Sequence, residues 1–355
     1  MNKPIPGGWE GLQRRKLLTL AATLALLAAA ALASAGTGSI SLSPGETLSA
    51  LFGGGSDTAR RVLFEIRFPR TAAAVLVGAA LGMSGAVMQC VLNNPLASAS
   101  TLGVSQGAAF GAALGIIVFG GGVADVGGDY AVQIDNPYIV TLCAFVCGSA
   151  STAAIVAISR LRRDLGPGAL VLAGVALSSL FTGGSTLLQY FADDTKLGAV
   201  IFWTFGDLGG TNWTELAILA AVTAAALAYF LARRWDYNAI AAGSDMASSL
   251  GVNVRAVVLV SMAVCTAASA LAVSFVGIIS FIGLVAPHAM RRFTGDDYRW
   301  LIPCSAAAGA LLLVLADLAC RVIIAPVILP VGAVTSFLGA PVFLYLLLKG
   351  GGSRA

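Results

Sequence analysis

Long apolar runs separated by short polar turns make up most of this chain. Most runs hold about 20 residues, which is the length that an α-helix needs to cross the hydrocarbon core of a bilayer. The pattern therefore predicts an all-α integral membrane protein with about ten transmembrane helices, which cover the segments Leu17–Ala35, Thr71–Val91, Thr101–Phe119, Pro137–Ser159, Ala169–Phe191, Thr214–Leu231, Ala256–Phe275, Ile279–Met290, Leu301–Ile323 and Val331–Leu348.

The first apolar run has two interpretations. It follows Arg14, Arg15 and Lys16 and ends in Ala33-Ser34-Ala35, a sequence that also fits a cleavable signal peptide. The apolar core of a signal peptide usually spans ~7 to 15 residues, and this run of about 19 residues is long enough to span a bilayer. We therefore expect a retained first transmembrane helix, with the signal peptide as the alternative.

Composition agrees with a membrane protein. Hydrophobic residues make up 58% of the 355 positions, charged residues 11%, and the mean hydropathy is +0.88. Soluble domains carry about 25% charged residues. The net charge is +4, but the basic residues form no stripe with interleaved aromatic residues, so we expect no nucleic-acid partner.

The chain is predicted to form one transmembrane domain over residues 1–355. We expect cytoplasmic tails at 1–16 and 349–355 and a cytoplasmic loop at 233–255.

The basic residues predict the orientation of the chain. With the amino terminus inside, fifteen of the 21 Lys and Arg residues fall on cytoplasmic loops and tails, as the positive-inside tendency requires. This arrangement places both termini in the cytoplasm. The six residues expected outside are Arg60, Arg61, Arg67, Arg70, Lys196 and Arg321.

One polar stretch, Tyr237–Val254, interrupts the second half of the chain. It lies between basic residues that predict a cytoplasmic position. Ser244 or Asp245 could cap a short helix over Met246–Leu250, and Gly251 is placed to end it. We expect a small surface helix that another protein grips.

Residues that could support catalysis or self-driven transport are missing from the predicted spans. Mid-membrane ionisable residues, which proton pumps and secondary carriers need, are almost absent, and Asp317 is expected to pair with Arg321 one turn later. His288 follows Pro287 without an acidic neighbour and is interpreted as a packing residue. None of the four lysines follows a glycine, which excludes a P-loop. We predict a non-enzymatic transport subunit that holds no metal or cofactor, with ATP and Mg²⁺ bound by separate partner subunits.

Small residues predict tight helix packing. Glycines recur every fourth residue from Gly103 to Gly115, and Gly78, Gly82 and Gly85 mark the preceding helix, which allows neighbouring backbones to approach closely. The six cysteines lie in or beside apolar runs without a CxxC pair, so we interpret them as packing residues.

Six motifs in order resemble the FecCD-type permease subunits of ABC importers for ferric siderophores, haem and cobalamin. The resemblance extends from about Leu63 to Lys349, and the motifs are IRFPRTAAAVLVGAALGMSGAVMQ at 66–89, NNPLASASTLGVSQGA at 93–108, LVLAGVALSS at 170–179, NAIAAGSDMASSLGV at 238–252, GIISFIGLVAPHAMRR at 277–292 and LPVGAVTSFLGAPVFLYLLLK at 329–349.

The resemblance implies a type II ABC importer permease that forms a homodimer around a central pathway. It also implies two cytoplasmic ATPase subunits and a periplasmic or lipid-anchored binding protein. The expected function is import of an iron chelate, with a ferric siderophore as the expected substrate, across the plasma (inner) membrane of a prokaryote. Haem and cobalamin are the alternatives within the family, and a channel or secondary carrier is a more remote one.

The resemblance also assigns roles to three groups of residues. Docking of the binding protein falls to Arg67, Arg70 and Arg321. Coupling to the ATPase falls to Asn238, Gly243, Ser244, Asp245, Met246, Ala247, Leu250, Gly251 and Val252. The cytoplasmic gate would use Asn94, Pro95, Leu96, Pro167 and Gly168, although the Gly166-Pro167-Gly168 turn departs from the small hydroxyl residues that relatives often have there.

Overall fold

The computed structural model describes residues 8–37, 49, 54, 56–121, 123–125, 132–134, 137–161, 167–325 and 327–350. Helices make up nearly all of these residues. In chain order they are α1 (Gly8–Gly36), α2 (Asp57–Arg61), a π-helix (Val62–Arg67), α3 (Phe68–Val91), α4 (Val104–Ile117), α5 (Pro137–Leu161), α6 (Pro167–Tyr190), α7 (Asp194–Phe205), α8 (Trp213–Ala232), α9 (Arg234–Ala241), α10 (Ser244–Ser249), α11 (Val254–Val276), α12 (Ile282–Thr294), α13 (Tyr298–Val322) and α14 (Val331–Gly350).

The predicted all-α membrane architecture is confirmed. Seven helical segments within the described residues are long and apolar enough to cross a membrane: Glu10–Gly36, Asp57–Val91, Tyr138–Ile158, Ala169–Tyr190, Trp213–Ala232, Val254–Val276 and Tyr298–Val322. The remaining three predicted segments correspond to the shorter helices α4, α12 and α14. Every predicted apolar run is therefore a helix in the structure.

Three polar regions contain structure that the hydropathy pattern did not predict. The segment between the fifth and sixth predicted spans contains the helix α7. The segment between the third and fourth predicted spans includes a two-stranded antiparallel ladder, β1 (Val123–Asp125) with β2 (Val132–Ile134). The polar stretch after α8 begins with the amphipathic helix α9.

Glycine faces bring two pairs of helices into close contact. A Cβ atom built on Gly107 of α4 would lie 2.7 Å from the carbonyl oxygen of Cys147 in α5. On α3, a Cβ atom at Gly78 or Gly82 would overlap the backbone of α13. Only a residue without a side chain fits such contacts, and the predicted tight packing is confirmed.

The core is centred on α3. It packs against α11, α12 and α13, and most of its side chains are buried, including Met83, Met88 and Val87. By contrast, α6 buries few of its side chains, and Leu172, Leu180 and Leu187 are exposed. In a membrane, such an exposed apolar surface faces lipid or another subunit.

Candidate coupling and docking sites

The 233–255 segment consists of α9, α10 and their connections. α10 occupies the predicted position but begins at Ser244, after the N-cap residue Gly243, whose φ of +130° favours glycine. Because the N-cap position is occupied by Gly243, and Ser244 and Asp245 lie inside the helix, the prediction that Ser244 or Asp245 caps it is wrong. Gly251, with φ of +83°, follows the helix as predicted.

α10 exposes an apolar surface. Met246 is 57% exposed and Leu250 is 67% exposed, whereas Ala247 points inward and is fully buried. The other predicted coupling residues around α10 are also accessible. Val252 is half-buried, and the exposed ones are Gly243, Ser244, Asp245 and Gly251. A short helix with large apolar side chains in solvent suits a partner surface, and the coupling role stays a prediction.

α9, in contrast, is anchored in the fold. Tyr237, expected on the surface, is fully buried, because its ring packs in the core and its hydroxyl lies 2.8 Å from Ser261 Oγ of α11. The next residue, Asn238, is half-buried and donates to Asp297 Oδ1 over 3.2 Å. The 233–255 segment thus has a fixed part, α9, and a projecting part, α10.

Asp297 is the centre of a charged cluster at this end of the bundle. Its side chain is the N-cap of α13 and accepts hydrogen bonds from Lys16 Nζ at 2.9 Å and Arg299 Nη2 at 2.7 Å. Burial opposes ionisation of Asp297, but the hydrogen bonds from Arg299, Lys16 and Asn238 outweigh it and hold the pKa of this carboxyl well below its usual range. The carboxylate is therefore ionised at neutral pH.

At the opposite end of the bundle, two arginines cap the carboxyl terminus of α1. Arg67 Nη1 donates to Ala35 O at 2.9 Å, and Arg321 Nη1 donates to Ser34 O at 3.0 Å and to Thr37 O at 2.7 Å. These carbonyl groups have no partner inside their own helix, and the positive charges also favour this end of the helix dipole.

Asp317 connects two arginines in the same region. It is completely buried, lies 2.7 Å from Arg70 Nε and lies 2.9 Å from Arg321 Nη2. The predicted Asp317–Arg321 ion pair is confirmed. The expectation that Arg67 and Arg70 lie on a loop is wrong, since they lie on the π-helix and on α3, respectively, and are buried. Their external position stays a prediction. Docking through the three arginines is untested and stays a prediction.

A cavity of about 650 Å³ opens beside this arginine end. Its wall combines charged, polar and aromatic side chains from α3, α7, α11 and the connection that follows α7. Among them are Arg70, Trp203, Phe205, Asp207 and Ser274. Asp207 also pairs with Arg70 at 3.4 Å and is 63% exposed at its side chain.

Comparison with known proteins decides the family. The model of the FecCD transport family matches residues 26–349 of the chain. This chain belongs to the FecCD transport family.

Individual relatives agree with this assignment. The chain is 51% identical to a protein of Methanocaldococcus jannaschii named as an ABC transporter permease, with 88% of each chain covered. It is 39% identical to the iron(3+)-hydroxamate import system permease protein FhuB of Bacillus subtilis, over 81% of this chain and 72% of the relative. A solved structure titled as an inward-facing metal-chelate type ABC transporter matches with a TM-score of 0.80 at 29% identity, covering 93% of this chain and 98% of the other. The protein is thus a multi-pass ABC transport permease.

The predicted gate residues of this FecCD permease lie at two places. In the turn after α3, the Asn94 side chain accepts a hydrogen bond from the Leu96 N–H over 2.9 Å, and Pro95 and Leu96 are exposed. Pro167 and Gly168 form the start of α6, whereas Gly166 lies outside the described residues. The turn after α3 leads into α4, which contacts α6, and the gate role stays a prediction.

His288 lies in α12, where its ring is 6.1 Å from that of Phe343 in α14. All six cysteines of the FecCD permease are free thiols. Within the described residues, no group of His, Cys, Asp and Glu could hold a metal ion.

Sequence reasoning missed Asp297 and its partners. The segment Gly295-Asp296-Asp297 before an apolar run is an N-cap signal and could have indicated the start of α13. The pairing with Lys16 joins residues 281 positions apart, and no local pattern predicts such a contact.

Proposed function

We propose that this protein is the membrane subunit of an ATP-driven importer that carries an iron chelate, most specifically a ferric siderophore, into a prokaryotic cell. Two copies would enclose the pathway within the plasma membrane, with both termini in the cytoplasm. Two ATPase subunits would bind ATP and Mg²⁺ on the cytoplasmic side, and a binding protein would deliver the chelate from outside. The chain itself would need no cofactor.

The observation that carries the ATP-driven proposal is the exposed surface of α10. The projecting Met246 and Leu250 offer an ATPase an apolar contact at one end of the bundle. The charged-type side chains of the described spans lie near the span ends, as in the clusters around Asp297 and Asp317, so a carrier driven by mid-membrane protonation has little support.

The proposed substrate rests on the relatives. The 39% identical permease of Bacillus subtilis is named for iron(3+)-hydroxamate, a siderophore-type chelate, and the solved relative is titled as a metal-chelate transporter. The cavity beside Arg70 is large enough to admit part of such a ligand and offers aromatic and charged groups to it.

Docking of the binding protein is proposed at the arginine end. The side chains of Arg70 and Arg321 are only 8% and 5% exposed, so incoming carboxylates would have to compete with Asp317 for them. Docking through Arg67, Arg70 and Arg321 therefore requires a rearrangement of this cluster when the partner arrives.

ATP-dependent uptake in proteoliposomes tests the proposal. The permease is reconstituted with its ATPase and binding protein, and ferric hydroxamate siderophore, haem and cobalamin are offered in parallel. Accumulation of the ferric siderophore that requires ATP and both partners is the expected result. Vesicles that contain the permease without the ATPase are the matched control.

Two results would contradict the proposal at different levels. Accumulation of haem or cobalamin in place of the siderophore would overturn the substrate but keep the ATP-driven mechanism. Uptake that continues without the ATPase would identify a channel or secondary carrier and overturn the mechanism itself.

A further inference from the structure

The carboxylate of Asp297 joins three separate elements. It belongs to the first turn of α13, where Arg299 donates to it through Nε at 2.9 Å and Nη2 at 2.7 Å. Lys16 of α1 and Asn238 of α9 donate to its two oxygens at 2.9 and 3.2 Å. Charged hydrogen bonds of this length are stronger than neutral ones, so the cluster holds α1, α9 and α13 together at one point.

Asn238 of α9 both donates and accepts a hydrogen bond at the start of α13. While its Nδ2 group donates to Asp297, its Oδ1 atom accepts the backbone N–H of Tyr298 over 2.8 Å. Arg299 adds a third contact, because its guanidinium lies 4.6 Å from the ring centre of Trp235 in α9. The orientation of α9 is therefore set by the start of α13, and α10 follows α9 after the short Ala242-Gly243 connection.

Side-chain hydrogen bonds join α1 and α13 at both ends of the bundle. Next to Asp297, Trp300 Nε1 donates to Gln13 Oε1 of α1 over 2.8 Å. At the arginine end, Arg321 of α13 donates to Ser34 of α1 and to Thr37, which directly follows α1. Two helices tied at both ends and packed along their length resist sliding past each other, and a displacement at one end must move both.

We propose that Asp297 is a positioning residue for transport, which holds α9 against α13 and α1 so that movement imposed on α10 displaces these long helices together. The proposal rests on the proposed function, since it assumes that an ATPase moves α10. Asp297 touches neither substrate nor nucleotide in this role and acts through the elements that it joins.

The neighbouring Asp296 provides a matched control. Its side chain is 62% exposed and pairs with Arg291 of α12, and within the described residues it makes no ion pair with α1 or α9. Arg291 in turn donates to Gln89 of α3 and to Tyr298 of α13, so α3, α12 and α13 remain connected without Asp297. A change at Asp297 can therefore weaken the α9 contact while the bundle persists.

The test compares Asp297→Asn with Asp296→Asn in the complete transporter, that is, the permease with its ATPase and binding protein in proteoliposomes. Asparagine keeps the N-cap of α13 but removes the charge that Lys16 and Arg299 contact. Uptake of radiolabelled ferric hydroxamate, or of haem or cobalamin if the wild type accumulates one of these instead, is measured together with phosphate release from the same vesicles. Their ratio gives the molecules moved per ATP hydrolysed.

We expect the ratio to fall at least about fivefold in Asp297→Asn, the lower end of typical coupling effects, while ATP hydrolysis continues. Asp296→Asn should stay within about twofold of the wild type, because it leaves the α9 contact intact. A merely structural role would lower uptake and hydrolysis in proportion and leave the ratio unchanged, and that result would overturn the proposal.

A second variant keeps the proposal testable if Asp297→Asn fails to assemble. Asn238→Ala removes both hydrogen bonds that Asn238 of α9 makes to the start of α13 but leaves Lys16, Asp297 and Arg299 together. The same fall in molecules moved per ATP hydrolysed is expected. An unchanged ratio in Asn238→Ala, or in an assembled Asp297→Asn, refutes the inference while wild-type uptake still supports the proposed function. Absence of ATP-dependent uptake in the wild type would instead refute the proposed function.

Discussion

The buried carboxylate of Asp317 offers the sharpest test of the packing at the arginine end. Asp317→Asn keeps the size of the side chain but removes the only negative charge that lies between Arg70 and Arg321 within the described residues. Breaking a buried ion pair from one side typically costs about 3–5 kcal/mol, because the remaining charge stays buried without compensation. We expect a loss of this order in the free energy of unfolding.

Asp207 supplies the comparison. It pairs with the same Arg70 at 3.4 Å, but its side chain is 63% exposed, whereas that of Asp317 is 0% exposed. An exposed ion pair contributes about 0–1 kcal/mol, so Asp207→Asn should have little effect. Both variants remove a carboxylate charge from the same arginine, but Asp317 is buried and also pairs with Arg321, whereas Asp207 is exposed and pairs with Arg70.

Thermal denaturation of the detergent-purified permease, followed by the fraction that stays monodisperse, measures the difference. About 1 kcal/mol corresponds to roughly 2–4 °C in chains of 150–250 residues and to less in longer ones, so we expect a decrease of several degrees for Asp317→Asn and at most about 2 °C for Asp207→Asn. Equal shifts, or none for Asp317→Asn, would show that other acceptors compensate both guanidinium groups and would refute the reasoning.

Two further predictions concern the helix contacts and α10. Gly111→Val should destabilise the permease by about 1–3 kcal/mol, because the added Cβ atom would overlap the backbone at Cys143 in the α4–α5 contact. Gly183→Val is the control: a Cβ atom there meets open space, so this variant should change the denaturation temperature little. Replacing both Met246 and Leu250 by Asp should release the ATPase during co-purification and leave the denaturation temperature of the isolated permease unchanged, because both side chains are exposed. Retention of the ATPase would place the coupling surface elsewhere.

The sequence by itself determined the membrane class, the helical state of the predicted apolar runs and the family. Each of these follows from local patterns: run length sets the spans, and the ordered motifs carry the resemblance. The glycine faces were also predictable, because glycines spaced by four residues lie along one side of a helix wherever that helix packs. The Asp317–Arg321 pair was accessible for the same reason, since its two residues are one turn apart.

Only the tertiary structure decided which polar residues meet. Arg67 and Arg70 follow a polar segment and were expected on a loop, but the structure buries both. Arg67 donates to a carbonyl group at the end of α1, and Arg70 pairs with Asp317 of α13. Tyr237 begins a polar stretch and is nevertheless buried, because α9 folds back onto the core. The Asp297 cluster joins α1, α9 and α13 across most of the chain. Hydropathy and spacing describe one segment at a time, whereas these contacts depend on how separate segments pack together.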